Sequence, residues 1–323
     1  EEITKTEPHA IDNCPKCTTI LTKKRVVVFY VEDVPLDKPQ KEIIKHEAEQ
    51  GYCNNCHKWY SSIPLPSARC IIGQKLRQYI CYLAIISRLS NQQIEEQIKD
   101  IHQISISQGE ISKILEKEAD KLRPEYERLK ERISKQQALH YDETSWRVVN
   151  GTQGNYGWIM TGTTTDEVVF SLGQSRGKGN INILNGNHNN IGITDDYGAY
   201  RNQFENHQLC WAHPNRKLRD LAESDMLNEK QQKICIQSYQ KFAKIYDELK
   251  QMVKTKFDYK TTNEYFFKQL TEFSQSTLSN LPKLKTIKES LFKNKEKYLT
   301  CLKFPGLVPL DNNKAERGLR HLV

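Results

Sequence analysis

Three acids stand where carboxylates can do chemistry. Asp142 in "ALHYDETSWRVV" and Asp195 in "NIGITDDYGAY" each end a run that reads as a strand. Glu316 begins the final helix, within a turn of Lys314, Arg317 and Arg320 in "DNNKAERGLR". If the two strands are the adjacent central pair of one sheet, the aspartates meet at its rim and the helix can lean Glu316 over them. Carboxylates gathered in this way repel one another. They stay ionised together only beside cations, typically two ions about 3.5–4 Å apart. Hard oxygen ligands select magnesium or manganese over zinc. Such a pair activates an attacking oxygen and stabilises a leaving one, as in-line phosphoryl displacement requires. The plainer alternative is a surface helix on which Glu316 only pairs with its basic neighbours.

Cysteines carry a second chemistry. Of the nine, Cys14 and Cys17 form one Cys-x-x-Cys pair and Cys53 and Cys56 another, while Cys70, Cys81, Cys210, Cys235 and Cys301 are scattered. An odd count without a leading signal segment reads as a reducing cytoplasm and a metal site, not a disulfide framework. The pairs flank "RVVVFYVEDVP", a β-branched and aromatic run, and two knuckles closing a short β segment make a zinc ribbon. Four thiolates complete a tetrahedral shell, so this zinc is structural, and His46 and His57 are surplus to it. Two unrelated cysteine turns are the alternative. Cys210 and His213 form a Cys-x-x-His pair that lacks two further soft ligands nearby in sequence. His213 is therefore expected to hydrogen-bond near the acids and Cys210 to pack in the core, as are Trp146, Trp158 and Trp211.

The elements that must position these groups follow from periodicity. Ser90 with Gln93 and Ser107 with Glu110 read as capping boxes, each before an apolar-periodic run. Ile111, Ile114, Leu115, Ala119 and Leu122 then predict one buried stripe. Two short helices with a brief joint resemble a helix-turn-helix, or else a plain helical hairpin. Pro124 is expected to open a separate charged helix. From Ala138, "ALHYDETSWRVV", "YGWIMTGTT" and "EVVFSLGQS" read as three successive strands. A Gly-rich joint leads to a fourth in "NIGITDDYGAY" and a fifth in "HQLCWAH". That order is the ribonuclease-H-like one. Pro214 to Lys303 is lysine-rich and helical, an insertion before the chain returns at "FPGLVPLDNN". In "TDDY", strand alternation puts Ile191, Ile193 and Asp195 on one face, leaving Asp196 to cap the following turn or add an outer charge.

The predicted fold is multidomain α+β. It comprises a zinc ribbon (1–62), a helical, helix-turn-helix-like DNA-binding region (63–135) and an α/β catalytic core (136–214 and 304–323) interrupted by an all-helical insertion (215–303). The 323 residues exceed one small module, 37% are hydrophobic and the mean hydropathy is -0.71. No apolar run approaches the roughly 20 residues of a membrane span. A formal charge of +8 favours a polyanionic partner. The chain opens at Glu1 without methionine, as a piece of a longer protein would.

These motifs resemble the DDE transposases of the insertion-sequence-66 class. "LHYDETSWRV" is similar to the first-aspartate motif, "TDDYGAY" to the second, and "CWAHPNRKLRD" to a Cys-Trp-Ala-His segment. "PLDNNKAERGLR" is similar to the glutamate helix. Two positions depart: Asp196 replaces a glycine, and Asn215 stands where a basic residue is usual. The resemblance implies that Asp142, Asp195 and Glu316 are catalytic and hold magnesium or manganese. It also implies zinc on Cys14, Cys17, Cys53 and Cys56, with the helical DNA-binding region and insertion already outlined. Arg317, Arg320, Lys314 and Lys113 are expected to contact DNA. His213, Asn312 and Asn313 support the site, the asparagines by capping the last helix. Partners would be terminal inverted repeats and target DNA, a second copy in a homodimer or higher oligomer, and accessory proteins of the same element, with no membrane. A nuclease of the same fold that cuts without joining, or a domesticated DNA-binding protein, are the rival readings.

Overall fold

The computed structural model describes residues 50–53, 57–61, 72–146, 155–173, 176, 177, 179, 189–276 and 281–320. Cys14, Cys17, Cys56, His46 and the strand expected over 25–35 lie outside them, as does most of the Gly-rich joint. The chain divides into two compact units, residues 1–118 and 119–323.

In the first unit, β1 (Gln50–Cys53) pairs antiparallel with β2 (Lys58–Ser61). Three helices follow, α1 (Gln74–Ile85), α2 (Asn91–His102) and α3 (Gln108–Ser134), the last belonging to this unit only up to residue 118. The expected capping box starts α2, with Gln93 N–H donating to Ser90 Oγ at 3.3 Å and Ser90 N–H to Gln93 Oε1 at 2.9 Å. Ile80, Leu83, Ile94, Ile98, Ile106, Ile111 and Ile114 close the core of this bundle. Two expectations are corrected here. Leu122 is 64% exposed and Ala119 is exposed too, because the buried stripe stops after Leu115. Pro124 lies inside α3 rather than opening a new helix. Its missing N–H costs one ladder bond within a mostly exposed stretch where i,i+3 ion pairs such as Glu125–Arg128 accumulate.

The second unit is built on a five-stranded sheet of order β5-β4-β3-β6-β7. β3 (Ala138–Trp146), β4 (Asn155–Gly162) and β5 (Val168–Gly173) form an antiparallel meander. β6 (Ile191–Thr194) and β7 (His207–Leu209) add in parallel, with a short 3-10 turn, Gly198–Tyr200, between them. All five strands fall on the runs expected from sequence. The segment that follows is helical: α4 (Ala212–Ala222), α5 (Glu229–Met252), α6 (Tyr259–Gln275), α7 (Pro282–Tyr298) and α8 (Thr300–Lys303). α9 (Asn313–Leu319) closes the described chain.

Three apolar clusters hold the layers. Trp211, fully buried, stacks on Phe242 and Tyr246 of α5 and joins Ile191, Ile193 and Leu209 to the helical segment. Leu139, Tyr141, Trp158 and Met160 face Ile133, Tyr200 and Phe204. On the opposite side of the meander, Ile159 packs under Ala315 and Leu319 of α9. Gly318 makes this approach close: a Cβ there would stand 2.3 Å from Ile159 Cδ1.

Candidate active site

Register decides which way each acid points. Asp142 lies directly opposite Ile159, and opposed residues of an antiparallel pair project to the same face. Ile159 meets α9, so Asp142 faces the helix that carries Glu316. Glu143, opposite Trp158, faces the other way. It is buried there, bonded by Arg176 Nε at 2.8 Å and Nη2 at 2.6 Å, and accepts the Tyr200 hydroxyl. Asp142 does not end its strand as expected. β3 continues to Trp146, and what ends beside Asp142 is its parallel partner β6.

His140 pairs with Ile193 across the parallel ladder, so two steps on, Asp142 and Asp195 leave neighbouring strands at matched positions. Asp195 is the first residue past β6 and accepts the Tyr197 N–H at 3.0 Å. Asp196 turns away. It accepts the Ser290 hydroxyl and, at 3.4 Å, the Asn294 amide, both from α7. The expectation that it caps the next turn is therefore corrected: it ties the strand end to the helical segment.

α9 is moored by side chains rather than capped by them. Asn312, fully buried, makes no cap bond. Its Oδ1 lies 2.9 Å from His140 Nδ1 and its amide donates to the Tyr141 carbonyl at 2.8 Å. Just before it, Asp311 Oδ1 accepts the Asn313 N–H at 3.1 Å, a local turn bond. Lys314 Nζ reaches the Thr163 carbonyl at 3.4 Å and also the Thr165 carbonyl, fixing α9 to the β4–β5 turn. Arg317 is exposed on α9, Arg320 is exposed just past its end, and Lys113 is exposed on α3.

The electrostatics show how these groups crowd. Burial, Glu143, Asp195 and Glu316 push the Asp142 carboxyl up to about 8 against the Glu143 N–H that it accepts. Burial keeps His213 below the usual histidine range, although Asp195 and Glu316 both oppose this. His213 thus lies within reach of two of the three acids. Its Nδ1 is 3.7 Å from Glu316 Oε1, and Arg216 Nη2 is 3.4 Å from Glu316 Oε2. Among the described residues, the metal-capable group with ligand atoms within 4.8 Å of one another is Cys210, His213 and Glu316; the three acids are not drawn together this tightly.

Sequence reasoning assigned no role to Arg216, Arg176 or Tyr200, although Arg216 and Tyr200 stand within the quoted "CWAHPNRKLRD" and "TDDYGAY" motifs. Arg216 lies a helical turn beyond Ala212 in α4, and only the return of the chain at α9 gives it a partner.

The family model described as Transposase IS66 family matches residues 69–323, a span holding all three acids, His213 and both asparagines. No curated protein matches the chain. Transposases of this kind cleave and move DNA with the help of divalent metal ions. With most of its length matched, the chain belongs to the Transposase IS66 family.

Proposed function

We propose that this protein binds the terminal inverted repeats of its element, cleaves them to expose 3′-hydroxyls and joins these to target DNA. The observation that carries the reading is the convergence of Asp142 and Asp195, from matched positions on adjacent parallel strands, with Glu316 on the helix packed over them. The strand order, an antiparallel meander extended by two parallel strands, supports a ribonuclease-H-like core.

The donor set fits a hard divalent cation. Its ligands are carboxylate oxygens, Glu316 Oε1 is buried without a hydrogen-bond partner among the described residues, and burial together with the charges of Glu143, Asp195 and Glu316 raises the Asp142 carboxyl, a shift that a cation would oppose. Asp142, Asp195 and Glu316 would hold magnesium or manganese, which supplies charge to activate the attacking oxygen and stabilise the leaving one. The remaining work is positioning. Asn312 fixes the start of α9 and so the place of Glu316. Arg216 orients one carboxylate oxygen of Glu316 and leaves the other for the cation. Arg317 and Arg320 are assigned to DNA phosphates near the site and Lys113 to the DNA-binding region. Lys314 has the smaller part, because its ammonium is already engaged by the β4–β5 turn.

Water and then the DNA 3′-hydroxyl serve as nucleophiles, so no protein–DNA covalent bond forms. Joining two ends calls for two copies of the chain. Zinc on Cys14, Cys17, Cys53 and Cys56 would support the N-terminal region. The test is a strand-transfer reaction with the element's own ends and magnesium. Joined product from wild type but not from Asp142→Asn supports the reading, whereas cleavage without any joined product reduces the protein to a nuclease.

A further inference from the structure

A second set of donors, of different character, meets at Glu316. Cys210 lies between β7 and α4, so the N–H groups of Ala212 and His213 point back at its sulfur. From the far end of the unit the Asn312 N–H reaches Cys210 Sγ at 3.2 Å. N–H groups that converge on a sulfur favour its thiolate and orient its remaining lone pair. Facing that sulfur are two atoms that, among the described residues, have no hydrogen-bond partner. His213 Nδ1 and Glu316 Oε1 are both shielded from solvent and lie 3.7 Å apart. Arg216 occupies only the other oxygen of Glu316.

We infer that Cys210, His213 and Glu316 form a binding site for a thiophilic divalent cation of the zinc class, distinct from the hard-cation site but sharing Glu316 with it. One sulfur, one imidazole nitrogen and one carboxylate oxygen are the ligands such an ion takes, leaving a fourth position open. Magnesium has little affinity for sulfur or imidazole. Binding displaces the Cys210 thiol proton, which an ion of strong thiolate affinity can do. The functional consequence rests on the transposase reading: an ion seated here takes Glu316 from the three-acid site, so zinc opposes magnesium-dependent cleavage. The Cys-x-x-His pair alone could not reveal this, because its third ligand comes from the other end of the core.

Cobalt titration of the full, reduced chain reads the site without DNA. The cysteines near the N-terminus will also bind cobalt, so the readout is a difference. Cys210→Ser, checked for native circular dichroism, should lose one equivalent of thiolate-to-cobalt charge-transfer absorption; if it does not fold, His213→Gln is compared by stoichiometry instead. Identical stoichiometry and spectra in wild type and the folded variant overturn the proposal. Zinc titrated into the magnesium-dependent cleavage reaction should inhibit wild type at a concentration at least about tenfold below that needed for Cys210→Ser. Equal inhibition of both overturns the sharing of Glu316. Should no preparation cleave DNA, the transposase reading fails while the cobalt difference still decides the metal site.

Discussion

The ionisation of Asp142 is set by where β3 puts it. Burial, with the charges of Glu143, Asp195 and Glu316 nearby, pushes its carboxyl up to about 8, whereas an unfolded aspartate titrates near 4. Between those values the folded chain keeps a proton that the unfolded chain has lost. The linkage sign follows: the stability contribution is intact below about pH 4 and is lost as pH rises towards 8. Asp142→Asn should therefore raise the melting temperature by several degrees at pH 8 in a chelator and change it little at pH 4. Equal gains at both pH values would contradict this assignment of charge. The two acids of "TDDY" also separate at this scale. Asp195→Asn should abolish magnesium-dependent cleavage. Asp196→Gly should retain most of it but unfold more readily, having lost Ser290 and Asn294. Parallel cleavage and thermal-melting assays tell them apart, and a dead Asp196→Gly beside an active Asp195→Asn would reverse the roles.

At the scale of elements, the placement of Glu316 depends on how α9 is fastened. A seven-residue helix has little stability of its own. Asn312 ties it to β3 through His140 and Tyr141, Lys314 ties it to the β4–β5 turn, and Ala315 and Leu319 pack on Ile159. Asn312→Ala would remove its interior bonds to the His140 ring and the Tyr141 carbonyl, a loss of about 1–3 kcal/mol. Denaturant unfolding should show that loss, and cleavage should fall further than DNA binding. A variant with full stability would mean that the mooring lies elsewhere. The strands, the helical segment and the capping box of α2 were legible in the sequence because each is a local pattern of period or spacing. The mooring was not. "DNNK" looks like a helix cap, and only the approach of β3 turns Asn312 from capping to cross-linking. The stripe ending at Leu122 failed for a related reason: periodicity marks an apolar face but not how much of it a neighbour covers.

For the whole molecule, the excess of positive charge, +8, gains meaning from the family and from the exposed Arg317 and Arg320 beside the acids. DNA affinity should fall steeply with salt, and replacing both arginines by alanine should lower the log–log slope by about 1.8 if each neutralises one phosphate. An unchanged slope would remove them from the DNA contact. The candidate site was legible as three acids because each sits in a marked local motif. Its wider set of partners (Arg216, Arg176, Tyr200 and the sulfur of Cys210) arises only when distant segments meet. The central claim is that Glu316 acts through its negative charge on a cation rather than through its ion pair with Arg216. Glu316→Gln keeps the shape and removes the charge. The most direct measurement is magnesium-dependent cleavage and joining of terminal-repeat DNA by this variant at protein concentrations that saturate binding. The account predicts undiminished DNA binding with both reactions lost, and wild-type rates from Glu316→Gln would contradict it.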